Sequence, residues 1–303
     1  MSNKPQVIRY LRDPAASSSM GLSWRKIPWW ALPTAFSLDA PMVAVSWSCL
    51  LSKYYEIKIS FANLFTLAGV VWLIYAADRW LDVKLQCGKE KFQPQQLTWR
   101  HLLHWQYRSH LRTVWAMVFL SCVCSMFFLT VAELVIGSCL SVCVLVYFVG
   151  VHWSVWATRS PYAGDFKPIG VFYGAKEMAV GALFASGVHI PIAAAKSSDP
   201  LSYIPTWIGL ACLCTLNCLS ITSNEQLHST FRQRFLFTII STLFTLVLAI
   251  PFIEPHVSWL IAGCAVFQFG LYLNRHNMQS EGFRVLADAL LVIPTWMVMA
   301  FPD

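Results

Sequence analysis

Residues 61–82 read FANLFTLAGVVWLIYAADRWLD. Phe61–Leu81 has the length and apolar character of a membrane span, since a bilayer core takes about 20 such residues. The exception is the pair of acids that closes it, Asp78 and Asp82. Four residues apart on a helix, they share one face with Cβ atoms about 5–6 Å apart. Charge in a membrane segment is expensive and marks a functional site by default. Two carboxylates at the polar end of a span point to a divalent cation, or to a ligand carried by one.

The rest of the chain supports the membrane reading. Of 303 residues, 57% are hydrophobic and 12% charged, where a soluble domain carries about 25% charged residues. The mean hydropathy is +0.55. Apolar runs predict nine spans, Trp30–Leu51, Phe61–Leu81, Val114–Val131, Leu134–Trp156, Ile169–Ile190, Tyr203–Ser223, Phe235–Ile253, Val257–Leu273 and Val285–Phe301. Trp and Tyr stand at several of their ends (Trp29, Trp30, Trp153, Trp156, Tyr203, Trp207, Trp259), as an interfacial belt requires. Residues 1–28 are polar and basic (Lys4, Arg9, Arg12, Arg25, Lys26), with no secretory signal following them. The expected organisation is therefore a cytoplasmic basic segment, 1–28, and one membrane domain, 29–303, with a cap loop at 83–113. Nine of the ten cysteines lie in or beside apolar runs and no C-x-x-C occurs, which reads as small residues packing helices.

Charge placement gives the orientation. With a cytoplasmic N-terminus, 19 of the 22 Lys and Arg residues fall on the cytoplasmic side, all but Lys53, Lys58 and Lys196. That is the positive-inside pattern. The net charge of +7 is spread over short loops, which excludes a nucleic-acid partner. The expected location is an integral protein of a bacterial inner membrane, with its C-terminus outside.

Polar residues collect toward the cytoplasmic half: Asp39, Asp78, Asp82, Lys176, Glu177, Asn217, Asn224, Glu225 and Asp288. Asn217 and Asn224 are seven apart, on one helix face, four spans after the Asp78 pair. For Asp39 and Asp288 the sequence predicts buried helix–helix hydrogen bonds. Lys176 and Glu177 point about 100° apart on a helix, so each needs its own partner. The cap loop holds Trp99–Arg108, with Arg100 and His104, either resting on anionic lipid or covering the carboxylates. A polar interior with one mouth fits a cavity open to the cytoplasm. Carboxylates and amides there suit Mg²⁺, which bridges to substrate phosphates, and Lys167, Lys176 and Arg79 suit phosphate oxygens. With apolar and aromatic walls, the combination fits a lipid diphosphate.

In these features the chain resembles the UbiA-type superfamily of intramembrane prenyltransferases. The family's first motif, N-D-x-x-D-x-x-x-D, is matched by Ile74-Tyr75-Ala76-Ala77-Asp78-Arg79-Trp80-Leu81-Asp82, with Ile74 and Tyr75 in place of the leading Asn and Asp. Its second motif is matched by Asn217, Asn224 and Glu225, amides replacing most of the acids. Phe166-Lys167-Pro168 leading to Gly181-Ala182-Leu183-Phe184 is similar to the family's fifth helix, and Ser37-Leu38-Asp39-Ala40-Pro41 to its first. The resemblance implies nine transmembrane helices around a central cavity. It implies transfer of a prenyl group from a prenyl diphosphate to an aromatic or other lipophilic acceptor. Asp78, Asp82 and Glu225 would hold Mg²⁺. Asp78, Asp82 and Lys167 would serve the chemistry, and Arg79, Lys176, Asn217, Asn224, Arg100 and His104 would bind the diphosphate. Two further readings stand beside this one: an isoprenoid- or lipid-binding protein without that activity, and a transporter or proton relay using the intramembrane acids. The orientation is checked by C-terminal fusions. A phosphatase active only outside the cytoplasm is expected to be active, and a fluorescent protein that matures only inside to stay dark.

Overall fold

A computed structural model describes residues 28–87, 103–104, 107–157, 174–196, 198–225, 239–240, 242–243, 245–247, 250–253 and 255–300. Among them the regular elements are helices, with no strand. They are α1 (Leu32–Ala35), α2 (Asp39–Tyr54), α3 (Phe61–Cys87), α4 (Arg108–Met126), α5 (Val131–Ala157), α6 (Ala175–Val188), α7 (Ile190–Ala195), α8 (Ile204–Glu225), α9 (Pro255–Leu273) and α10 (Ser280–Ala300). Six of these, α3, α4, α5, α8, α9 and α10, contain segments long and apolar enough to cross a membrane. In the Val131–Val151 segment of α5 only Glu133 is buried. Val135, Val142, Leu145, Val146 and Val149 all face outward, a surface that water would not tolerate and lipid does.

Two of the expected spans look different, and a third is described only in part. Trp30–Leu51 is not one continuous helix: Trp29–Ala35 and Asp39–Tyr54 meet at an 84° bend. The cause is local. Ser37 adopts φ 57°, the left-handed conformation usually left to glycine. Ser37 N–H donates to Thr34 O at 3.2 Å and Leu38 N–H to Pro33 O at 2.7 Å, the two bonds of a Schellman closure. The fifth span, Ile169–Ile190, is described only from Gly174, and α6 ends at Val188 before Pro191 restarts the chain as α7. Most of the seventh, Phe235–Ile253, lies outside the described residues.

The chain forms two compact units, Met1–Met42 with Phe65–Phe127, and Val43–Leu64 with Phe128–Asp303. In the first, Trp72, Leu73, Ala76 and Cys122 form a core with Val70 and Val118. Indole N–H groups tie it together: Trp72 donates to Phe36 O at 2.9 Å and Trp115 to Leu73 O at 3.2 Å.

In the second unit, α6 packs directly on α8. A Cβ added at Gly181 would collide with Thr215 Oγ1 and come within 2.6 Å of Ala211 O, the small-residue contact that lets apolar helices approach. Pro294 lies inside α10 and cannot donate to the carbonyl of Leu290. Cys264 Sγ–H on α9 donates to that carbonyl at 3.3 Å, and Trp47 Nε1–H on α2 donates to the next one, Leu291 O, at 3.1 Å. Neighbouring helices thus meet the hydrogen-bonding need that the proline creates.

Two polar clusters close helix ends in this unit. Ser60 Oγ accepts from Asn63 N–H, and Thr130 with Glu133 forms a capping box, Thr130 N–H donating to Glu133 Oε2 at 2.7 Å. Asn63 Nδ2–H joins the two caps by donating to Glu133 Oε1 at 2.9 Å. At the α6–α7 junction, His189 Nδ1 lies 2.8 Å from Ala185 O and Nε2 lies 3.2 Å from Thr206 Oγ1. The carbonyl can only accept, so in the neutral ring the proton is on Nδ1. The Tyr55 hydroxyl lies 2.8 Å from Thr206 Oγ1.

Two substitutions test these contacts with opposite signs. Gly181→Ala is expected to cost about 1–3 kcal/mol by overpacking. Ser37→Gly relieves left-handed strain of about 1–2 kcal/mol, partly offset by glycine's extra freedom in the unfolded chain, and is expected to raise the melting temperature in detergent.

Candidate functional site

The first candidate cluster lies on the C-terminal part of α3, in the first compact unit. Trp72 and Ala76 are buried, and Arg79 continues that face one turn later. Asp78 and Arg79 are half-buried and Trp80 is exposed. Arg79 Nε is buried with no acceptor among the described residues. Asp82 continues the helix, with its side chain outside the described residues. His104 is buried in a short helical piece with Leu103. Arg100 and Lys167 lie outside the described residues.

The second cluster belongs to the other unit, on α6, α8, α9 and α10. Asn217, 7% exposed on α8, uses both ends of its amide. Its Nδ2–H donates to Asp288 Oδ1 on α10 at 2.8 Å, and its Oδ1 accepts from Gln268 Nε2–H on α9 at 3.3 Å. Three helices are joined by this line of side chains. Asp288 thus makes the interhelical bond expected from its sequence position, at a half-buried site.

Glu177 also has the partner its position requires. It is buried on α6, and Thr222 Oγ1–H on α8 donates to its Oε1 at 3.1 Å. Lys176, beside it in sequence, is exposed. Two turns beyond Asn217, Asn224 is half-buried and its Nδ2 is buried without an acceptor among the described residues. Glu225 ends α8, with its side chain outside the described residues.

Asn217 and Asn224 share a face but differ in availability. Asn217 is committed to its neighbours, whereas Asn224 keeps donor capacity for something else. Gln268 went unnoticed in the sequence, although a lone carboxamide in the apolar run of α9 is itself a signal for an interhelical bond. It is 1% exposed, and its Oε1 has no donor among the described residues. Beside it, Leu216, Ser220, Ile239, Ala265, Phe269 and Tyr272 line a void of about 10 Å³, too small for a lipid headgroup.

At the helix end, Arg275 is buried with Nη1–H donating to Tyr272 O at 2.7 Å and its guanidinium 4.0 Å from the Tyr272 ring. Outside the spans, burial holds the Tyr55 phenol above its ordinary range, opposed by its hydrogen bond with Thr206.

Among the described residues, no group of three or more His, Cys, Asp or Glu gathers into a metal-binding set. No protein-family model matches the chain, and neither curated proteins nor solved structures give a match.

The amide line is tested by Asn217→Leu, which removes two interhelical bonds, one of them to the Asp288 carboxylate. With about 0.6 kcal/mol for an average bond of this kind and up to about 1.7 kcal/mol for a strong one, a loss of about 1–3 kcal/mol in denaturant unfolding is expected. Leu substituted at Gln268, where one acceptor is already unmet, is expected to cost less.

Proposed function

We propose that the chain binds a prenyl diphosphate and transfers its prenyl group to an aromatic or other lipophilic acceptor within the membrane. The observation that carries the reading is that Arg79 Nε and Asn224 Nδ2 are among the buried side-chain atoms with no partner among the described residues, alongside Ser37 Oγ, Ser52 Oγ and Gln268 Oε1. A buried donor left unpaired costs about 1–3 kcal/mol. Both belong to the residues whose sequence positions mark them for the diphosphate, and phosphate oxygens are the strong acceptors such groups take.

Asp78 and Asp82 are oxygen donors of the type Mg²⁺ prefers and would hold it, and when bound it would offset the charge that develops on the departing diphosphate; Glu225, in the other unit, is a further donor of the same type. Arg79 and Lys167 serve the same charge from the protein side. Asn224 orients a phosphate oxygen, and apolar helix faces hold the prenyl tail. Asn217 acts through its neighbours, fixing α8 against α9 and α10.

Ile74 and Tyr75 favour a second reading, an isoprenoid- or lipid-binding protein that carries no reaction. They occupy the places of an amide and an acid in the family motif, and neither side chain is a carboxylate that could hold a second metal.

Calorimetric titration of the purified chain with a prenyl diphosphate tests the shared part of both readings. Binding is expected in Mg²⁺. Affinity is expected to fall at least tenfold, about 1.4 kcal/mol, in EDTA and in Asp78→Asn and Asp82→Asn. Unchanged affinity in all three removes the diphosphate site. Prenylated product from a panel of acceptors separates the enzyme from the binder.

A further inference from the structure

The chain enters its first long helix through a corner. Trp29–Ala35 forms one short rod and α2 leaves it at 84°. The Schellman closure at Ser37 holds that corner with two backbone hydrogen bonds. α2 has 16 residues, about 24 Å at 1.5 Å per residue, which falls short of a hydrocarbon core of about 30 Å. When α2 stands within the usual tilt of about 20° from the bilayer normal, the rod lies nearly in the membrane plane.

The side chains of this segment sort accordingly. Ala31, Thr34 and Ala35 are buried, whereas Trp29 is 81% and Trp30 38% exposed. Phe36 and Leu38 are exposed as well. A tryptophan ring is most stable where its body meets acyl chains and its N–H reaches headgroups and water. Upstream in the sequence stand Arg25 and Lys26, cations of the kind that add attraction to anionic headgroups.

We propose that Trp29–Leu38 is an interfacial anchor, seated at the phospholipid headgroup boundary, which fixes the depth at which α2 enters the membrane. The corner also explains Asp39. A straight span beginning at Trp30 would carry this acid into hydrocarbon. The bend places it instead in the first turn of α2, where its Oδ1 accepts from Ala40 N–H at 3.0 Å and a carboxylate is stabilised by the helix N-terminus. The anchor is independent of which ligand the protein binds.

The test uses the full chain in phosphatidylcholine–phosphatidylglycerol vesicles whose lipids carry bromine either beside the glycerol backbone or at the acyl ends. The emission difference between wild type and Trp29→Phe/Trp30→Phe isolates these two rings. The expected result is a difference signal quenched most by the shallow bromines, with less quenching by the deep ones and by aqueous acrylamide. Dominance of acrylamide places the rings in water, and dominance of the deep bromines places them in a continuous span; either overturns the anchor. Phe36→Trp in the doubly substituted background gives a second probe on the same segment. It is expected to show the same order of quenching, and any other order counts against the proposal.

Discussion

In an apolar surround, a backbone or side-chain polar group must find its partner within the protein or lose several kcal/mol. Most of the described contacts follow from that constraint. Pro294 leaves Leu290 O without its usual donor, and Cys264 from another helix supplies one. Asn217 satisfies Asp288 and is satisfied by Gln268. Glu177 takes a hydroxyl from Thr222. At the α6–α7 junction the two ring nitrogens of buried His189 are met by Ala185 O and Thr206 Oγ1. Each bond joins elements that apolar packing alone would leave free to slide, because lipid is as apolar as the helix faces.

Seen this way, the exceptions carry the information. Arg79 Nε and Asn224 Nδ2 are buried donors without acceptors among the described residues. Both lie in the C-terminal halves of their helices. A protein that keeps unmet donors gives up stability for them, and such a cost is typical of binding sites. Asn217, by contrast, belongs to the framework. Two amides on one helix face thus have separate tasks: one holds helices together and the other remains available.

Some of this was legible in the sequence. Phe61–Leu81 was bounded correctly because its apolar run is unbroken and ends in charge. Ile204–Asn224 differs by a residue at each end from its expected bounds. Asp288 was expected to make a buried interhelical bond, since one acid in an apolar run has few other solutions. The break at Ser37 was hidden because serine does not announce a left-handed residue as glycine does. The choice of Gln268 as partner to Asn217 was also out of reach: hydropathy gives depth along a helix, not the rotation that brings two faces together.

The most direct measurement is thermal stability of the detergent-solubilised protein, with and without a prenyl diphosphate in Mg²⁺, for wild type, Arg79→Met and Asn224→Leu. If the two donors are kept for a ligand, removing either leaves the ligand-free protein as stable as wild type or more so, because a buried unmet donor has gone, while the stabilisation by ligand shrinks. Variants that are less stable alone and respond to the ligand as wild type does would contradict the account.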